Sequence, residues 1–291
     1  PEEAGQKVVA QRTGILVSGA TSDRRTDYWL AQVRDVEQLY TVPIVADQEV
    51  WGSLVVAWPE DNGNRAAHID LIETFVEYAA IAIEKTLQFH DAQSRLRREA
   101  ATRQVLHSIS QSQEDEQPVF DLIVKCAKEL CNATFAGLVL GRKGDVVQRL
   151  VASDNLPADV QQMWTDGKYT MAPGNSLVAD AILAGETHTI EDMAATNFHN
   201  QGDERFDLIV NKHNVRSNLL VPLIVDGKGI GCLVLGRDKV RPYTEDQARL
   251  VETFAAQAVI AIENSKQFRE VQERLEREEA SRDILEVISQ A

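Results

Sequence analysis

The 291-residue sequence has few cysteines, no long apolar run and no excess of positive charge. Cys126, Cys131 and Cys232 form neither a CxxC pair nor a spacing typical of zinc ligands, so the common zinc sites are excluded. We expect three small core residues in a reducing compartment, with redox sensing as the alternative. The apolar runs are too short to span a bilayer, and no signal-peptide pattern opens the chain. We therefore expect a cytoplasmic protein that does not bind membranes.

The charge balance is acidic. The sequence holds 45 acidic and 30 basic residues, a formal net charge of -15. A surface of this sign repels phosphate backbones and anionic lipid, so a nucleic-acid partner is not expected. The composition, 44% hydrophobic and 26% charged, is typical of a soluble protein that is large enough for two domain cores.

The chain repeats itself at a displacement of 179 positions. Residues 75–112 align without a gap on residues 254–291, and 19 of these 38 positions are identical. At the same displacement, Val42 and Pro43 correspond to Val221 and Pro222. A repeat of this length is a whole domain with its connector, so the sequence predicts a tandem array of domains.

The second copy contains a full set of predicted elements. Apolar periodicity and turn residues predict these segments in order: a helix 119–130, strands 135–140 and 146–152, a looser stretch 163–170, a helix capped near Asn175 and Ser176 and ended by Gly185, a strand 188–190, a covering region 192–214 with a helix 205–212, a hairpin of strands 217–225 and 230–235, and a helix from Thr244 to the chain end. An antiparallel sheet with helices on both faces makes an α+β fold.

At the hairpin and the last helix, the residues VPLIVDGKGIGCLVLG and YTEDQARLVETFAAQAVIAIENS resemble the GAF domain family. The earlier GETHTIED extends the resemblance to residues 118–264. It implies a central antiparallel sheet with helices on both faces. The linker EDEQPVFD and the repeated connector resemble the tandem GAF arrays of bacterial signalling proteins, including histidine kinases and nucleotide cyclases.

The first copy is incomplete, because nothing in it corresponds to residues 118–179. A sheet that lacks its first strands would expose an apolar face and an open edge. We expect that the chain starts inside a domain and also stops short at its C-terminus; a partner chain that supplies the strands is the alternative. The predicted organisation is the C-terminal part of a first GAF domain (1–86), a connecting helix (87–117), a complete second GAF domain (118–264) and a C-terminal signalling helix (265–291).

The connector carries a narrow stripe of residues at alternating spacings of three and four. Such a heptad stripe is typical of a two-stranded coiled coil, and polar residues within it can fix its register. The alternative is a single helix whose stripe packs on its own domain. We predict a parallel homodimer through these residues: Phe89, Ala92, Leu96, Glu99, Arg103 and Leu106, repeated as Phe268, Val271, Leu275, Glu278, Arg282 and Leu285.

The resemblance implies a ligand pocket between the sheet and the covering helices and loops. The start of the helix at Gly174 could instead bind an anion through its free N–H groups, although such helix starts usually serve as caps. The candidate ligand-binding residues are Arg149, Tyr169, Asn175, Ser176, Asp192, Phe198, Arg216 and Asn218.

No cofactor is assigned by the sequence. His188, His199 and His213 lack the pairing of a metal or haem site, and no cysteine lies where a bilin-binding GAF domain would need one. GAF domains that bind cyclic nucleotides carry an Asn-Lys-Phe-Asp-Glu signature, of which this chain retains only Asp246, so cyclic nucleotide binding is not supported.

Three functions are consistent with these features. The first is a sensory or regulatory tandem GAF module that binds a small molecule and signals through dimeric linker helices to an output domain outside this chain. The second is a structural dimerisation module that binds no ligand. The third is a redox sensor or enzyme that uses the cysteines. We expect no catalysis in this chain, because no nucleophile, base and orienting group converge.

Overall fold

The computed structural model describes residues 14–18, 38–58, 65–111, 115–196 and 204–289. The chain divides into two compact units, residues 1–96 and 97–291. The long helix α1 (Arg65–Gln111) begins in the first unit and ends in the second. Among the helices of these ranges, none is both long and apolar enough to cross a membrane.

The first unit contains a three-stranded antiparallel sheet of order β1-β2-β3, with β1 at Ile15–Ser18, β2 at Gln38–Ala46 and β3 at Glu49–Trp58. β2 and β3 pair as an antiparallel hairpin. Ile72 and Val76 of α1 pack with residues of β2 in a small buried cluster. Amphipathic spacing on the first turns of α1 thus covers one face of this sheet.

The second unit contains a five-stranded antiparallel sheet of order β5-β4-β8-β7-β6. The strands are β4 (Phe135–Leu140), β5 (Arg149–Asp154), β6 (His188–Ile190), β7 (Ser217–Val225) and β8 (Lys228–Arg237). The helices are α2 (Gln117–Leu130), α3 (Ala158–Thr165), α4 (Leu177–Ala184), the short α5 (Glu204–Phe206), a π-helix (Asp207–Lys212) and α6 (Glu245–Ser289), with a 3₁₀ turn at Met193–Ala195. The predicted α+β fold with an antiparallel sheet and helices on both faces is confirmed.

Alternation along β7 gives the sheet two different faces. Leu219 and Val221 join the main core with α2 and α6, whereas Leu220 on the opposite face packs in a second cluster with α4. Successive residues of a strand point to opposite faces, so β7 and β8 separate two buried layers. One layer holds α2, α6 and the end of α1, and the other holds the short helix α4.

The ends of the helices agree with the sequence. The Ser176 hydroxyl accepts a hydrogen bond from the Ala179 amide, and Gly185 ends α4 in the left-handed region at φ 70°. At the start of α6, Thr244 and Gln247 exchange side chain to backbone hydrogen bonds of 3.1 and 3.3 Å. This reciprocal pair is a capping box.

Three predicted elements were wrong in detail. The strand expected from Val146 starts at Arg149, and Val146 itself is 80% exposed. The stretch before Tyr169 contains the unpredicted helix α3, which begins after Pro157. The predicted helix 205–212 is a short α-turn followed by a π-helix, because apolar spacing does not reveal which carbonyl each amide bonds.

Candidate functional site

A pocket lies between the sheet of the second unit and the covering helices. It consists of two adjoining hollows of about 80 Å³ each, which share the wall residues Tyr169, Val178, Ile209 and Asn218. The first hollow extends to α3 and the second to Arg205. A concave site with mostly apolar walls and a few polar groups is the usual form of a small-molecule site.

An aromatic stack forms one side of the pocket. The rings of Trp164 and Tyr169 are 3.9 Å apart at an interplanar angle of 16°. The Arg205 guanidinium lies 5.3 Å from the Tyr169 ring centroid and donates hydrogen bonds to Asn175 Oδ1 (2.8 Å) and to the Asn175 carbonyl (2.7 Å). Cation–π and hydrogen-bond contacts therefore join the covering α5 to the loop before α4.

A charged cluster joins α3 to the end of the π-helix beside the first hollow. Asp159 accepts a hydrogen bond from Lys212 Nζ (2.7 Å) and lies 2.8 Å from His213 Nε2. The hydrogen bonds from Lys212 and then from His213 hold the pKa of Asp159 well below its usual value. His213 also lines the first hollow, so this cluster fixes one wall of the pocket.

The comparison with protein families decides what this domain is. The profile of the GAF domain matches residues 113–263, which is more than half of the chain. The chain belongs to the GAF domain family. The prediction from the sequence is confirmed for this segment, and no curated protein matches the chain.

Three solved structures illustrate the similarity. The GAF domain of a phosphoenolpyruvate-protein phosphotransferase from Acinetobacter is 18% identical, with 58% of this chain and 93% of that chain covered and a TM-score of 0.45. Free methionine-R-sulfoxide reductase from Neisseria meningitidis, in complex with its substrate, is 19% identical over 60% and 93%, with a TM-score of 0.46. A GAF domain/HD domain protein from Geobacter sulfurreducens is 14% identical over 53% and 96%, with a TM-score of 0.44.

Four of the eight candidate residues line the pocket of the GAF domain. Tyr169 and Asn218 lie in the wall of both hollows, and Asn175 and Ser176 lie in the wall of the second. Two amide groups near the start of α4 are already used, because Gly174 N–H donates to Asp180 (2.7 Å) and Ala179 N–H donates to the Ser176 hydroxyl (3.0 Å). This arrangement is that of a helix cap and not of an anion site.

Three other candidates, Arg149, Asp192 and Arg216, are not among the residues that form these two hollows. Arg149 is exposed on the edge strand β5, and Asp192 caps the 3₁₀ turn through the Ala194 amide. Arg216 is half-buried beside β7, and its buried Nη1 donates no hydrogen bond to any of the described residues. Phe198 lies outside the described residues.

Sequence reasoning missed Trp164, His213 as a wall residue, and Arg205. Trp164 and Tyr169 are only five positions apart, but Tyr169 lies beyond the end of α3, so helical spacing does not predict their stacking. Arg205 and Asn175 are 30 positions apart, so only the tertiary fold brings them together. Within the described ranges, no group of three or more His, Cys, Asp or Glu is placed to hold a metal ion.

The cysteines of the GAF domain are all buried. Burial raises the pKa of the Cys131 thiol to about 11 and also raises the pKa of Cys126 and Cys232. Because the thiolate is the reactive form, these thiols are poor nucleophiles in the folded state. This environment opposes a redox role.

The last turns of α1 carry two different faces. Ala101, Val105 and Ile109 pack in the main core of the second unit, with Val105 fully buried. Leu96 is nine residues before Val105, which places it about 180° away around the helix. This side of α1 is exposed, and Leu96 itself is 65% exposed.

The predicted seam residues are exposed along both long helices, except for the half-buried Phe268 and for Leu285, whose side chain lies outside the described residues. Three of the polar seam residues, Glu99, Arg103 and Glu278, form ion pairs along their own helix. Arg103 lies 3.8 Å from Glu99, and Arg274 donates to Glu278 at 3.1 Å. The exposed seam comprises Phe89, Ala92, Leu96, Glu99, Arg103, Leu106, Val271, Leu275, Glu278 and Arg282.

Proposed function

We propose that this chain is a sensory and regulatory module. In this proposal the GAF pocket binds a small molecule, and paired linker helices carry the signal to an output domain outside the chain. The observation that carries the proposal is that the pocket and the long helices lie on opposite faces of the same two strands, β7 and β8. We assign the module to the cytoplasm and assign no catalysis to it.

The two faces provide a physical route between ligand and helix. On β7, Asn218 and Leu220 face the pocket layer, whereas Leu219 and Val221 contact the core that includes α6 and the end of α1. Buried layers of a protein are close-packed and transmit strain. A shift of a strand on one face therefore displaces the helices on the other. A ligand shifts the balance between two arrangements only by its difference in affinity for them.

Dimerisation would give the helix movement a readout. The seam of each long helix includes exposed apolar residues, such as Leu96 in α1 and Leu275 in α6. Burial of an exposed leucine against a partner helix contributes about 1.5–3 kcal/mol, so two repeated seams favour a parallel homodimer. The similar spacing of the seams in both connectors supports one continuous mode of pairing.

Thermal unfolding in the presence of a metabolite panel tests the ligand-binding part. A ligand that binds only the folded state raises the melting temperature. At a free concentration a hundredfold above its Kd, it stabilises the folded state by about 2.7 kcal/mol. Val178 lines both hollows, so Val178→Phe fills the pocket and should abolish the shift. Val240→Phe adds the same bulk at an exposed position and should leave the shift intact.

The structural dimerisation module is the second candidate. The small size of either hollow taken alone favours it, since about 80 Å³ is roughly half the volume of an engineered cavity, about 150 Å³, that binds benzene. Absence of a thermal shift with every metabolite, together with a stable dimer, would favour this role over sensing.

A further inference from the structure

Asn218 is a buried polar residue with an unused acceptor. It lies on the inner strand β7, opposite Gly236 of β8 and Ile190 of β6, and is only 7% exposed. Its Oδ1 atom is buried and accepts no hydrogen bond from any residue of the described ranges. Folded proteins pair nearly all such groups, because a buried acceptor without a donor is destabilising. Asn218 lines both hollows, so its unpaired acceptor points to a ligand that reaches Oδ1 and supplies the donor.

The wall of the first hollow favours an uncharged ligand, and in the second hollow the Arg205 guanidinium already donates to Asn175. Among the described residues, no Asp, Glu, Lys or Arg lines the first hollow, and the ring of His213 there is held by Asp159. A charged molecule would lose its hydration and find no opposite charge in the first hollow. Most of the remaining wall is aliphatic, as at Val178, Ile209 and Val234.

The dimensions favour a small flat molecule. Each hollow holds about 80 Å³, too little for a bulky ligand without movement of the wall. Trp164 and Tyr169 present stacked rings on one side, and flat rings pack well in an offset or edge-on manner against such surfaces. A single five-membered ring matches this space better than a fused ring system.

We infer that the pocket selects a compact, flat, uncharged ring that carries an N–H group, and that Asn218 Oδ1 accepts its hydrogen bond. This inference rests on the proposed function and names the chemical class that the pocket recognises. The aliphatic wall supplies affinity that does not depend on the donor. The Asn218 amide supplies the discrimination between rings of equal shape.

Pyrrole and furan form a matched pair of probes, because both are flat five-membered rings and only pyrrole has an N–H donor. Methyl-labelled valine and isoleucine in the full chain allow the signals of Val178 and Ile209 to be followed by NMR during titration. We expect both probes to move these signals, with pyrrole half-saturating at a concentration about five- to tenfold lower than furan. Asn218→Leu should make the two concentrations equal. Asn211→Leu, an amide removed from the exposed side of the π-helix, should keep the preference.

Equal half-saturation by the two rings in the wild type, or tighter binding of furan, would overturn the inference while leaving ligand binding in place. A preference that persists in Asn218→Leu would also overturn it; if that variant does not fold, Asn218→Ala gives the same test without added bulk. If neither ring moves the pocket signals, the inference fails. The proposed function then stands only if a metabolite still raises the melting temperature.

Discussion

Arg237 at the end of β8 joins the sheet of the GAF domain to the start of the signalling helix α6, and its removal should weaken that junction. The residue is 3% exposed, and its guanidinium carbon lies 3.8 Å from the Tyr243 ring centroid. The guanidinium donates four hydrogen bonds, to the carbonyl oxygens of Cys131, Arg241 and Pro242 and to Gln247 Oε1.

The effect of Arg237→Met follows from which acceptors lose their donor. The Cys131 carbonyl keeps a bond from Gln247 Nε2 at 3.3 Å, whereas the carbonyls of Arg241 and Pro242 lose their bonds from the guanidinium. A hydrogen bond to a charged group contributes about 1.5–3 kcal/mol, and a buried cation–π contact contributes about 1–2 kcal/mol. Since methionine also avoids the cost of desolvating the guanidinium, we expect a net loss of about 3–5 kcal/mol.

Hydrogen exchange of the full chain, measured by mass spectrometry, locates this loss of stability within the second compact unit. Peptides from β8 and the first turns of α6 should lose protection, because local opening follows local stability. Arg241→Met is the matched control, since Arg241 gives its 2.7 Å bond to the Asn132 carbonyl from an exposed position, where solvent screening reduces a charged contact to about 1 kcal/mol or less. Equal protection in the two variants would refute the assigned role of Arg237.

Three further predictions concern the seam, the thiols and the pocket wall. Under mild oxidation, Leu96→Cys should form a disulfide-linked dimer and Ser94→Cys, about 160° away around the helix, should not; equal crosslinking would contradict a parallel seam. The native thiols should react slowly with a thiol reagent at pH 7 and quickly in denaturant, and fast labelling of the folded chain would restore the redox hypothesis. Because the folded-state pKa of Asp159 is depressed, its stabilising effect is present above about pH 4 and is lost as pH falls below it. The stability difference between wild type and Asp159→Asn should therefore shrink on acidification, and a constant difference would show that the carboxylate is unpaired.

The fold could be predicted because its signals are local. Asp226 and Gly227 adopt positive φ values of 49° and 72° between two apolar strands, and such a turn is readable from neighbouring residues alone. The caps of α4 and α6 are local in the same sense. The class of the fold follows from the order of these elements.

The candidate site was only half predictable, because its chemistry depends on partners that are distant in sequence. His213 and Asp159 are 54 positions apart, and neither residue type indicates the other. Arg149 is a plausible ligand-binding residue by type, yet its position on the edge strand leaves it exposed. That Asn218 keeps an unused acceptor depends on what every surrounding side chain does, so no local pattern contains it.

The burial of the last turns of α1 in the GAF core limits how a signal can pass through the connector. Turning this part of the helix about its own axis would draw Val105 and Ile109 out of the core, and each contributes about 1.5–3 kcal/mol by its burial. Axial rotation of these turns is therefore blocked unless the GAF core turns with them. The movements that remain are sliding and tilting of the helix together with its domain. The connector is therefore suited to transmit a displacement and not a rotation about its own axis.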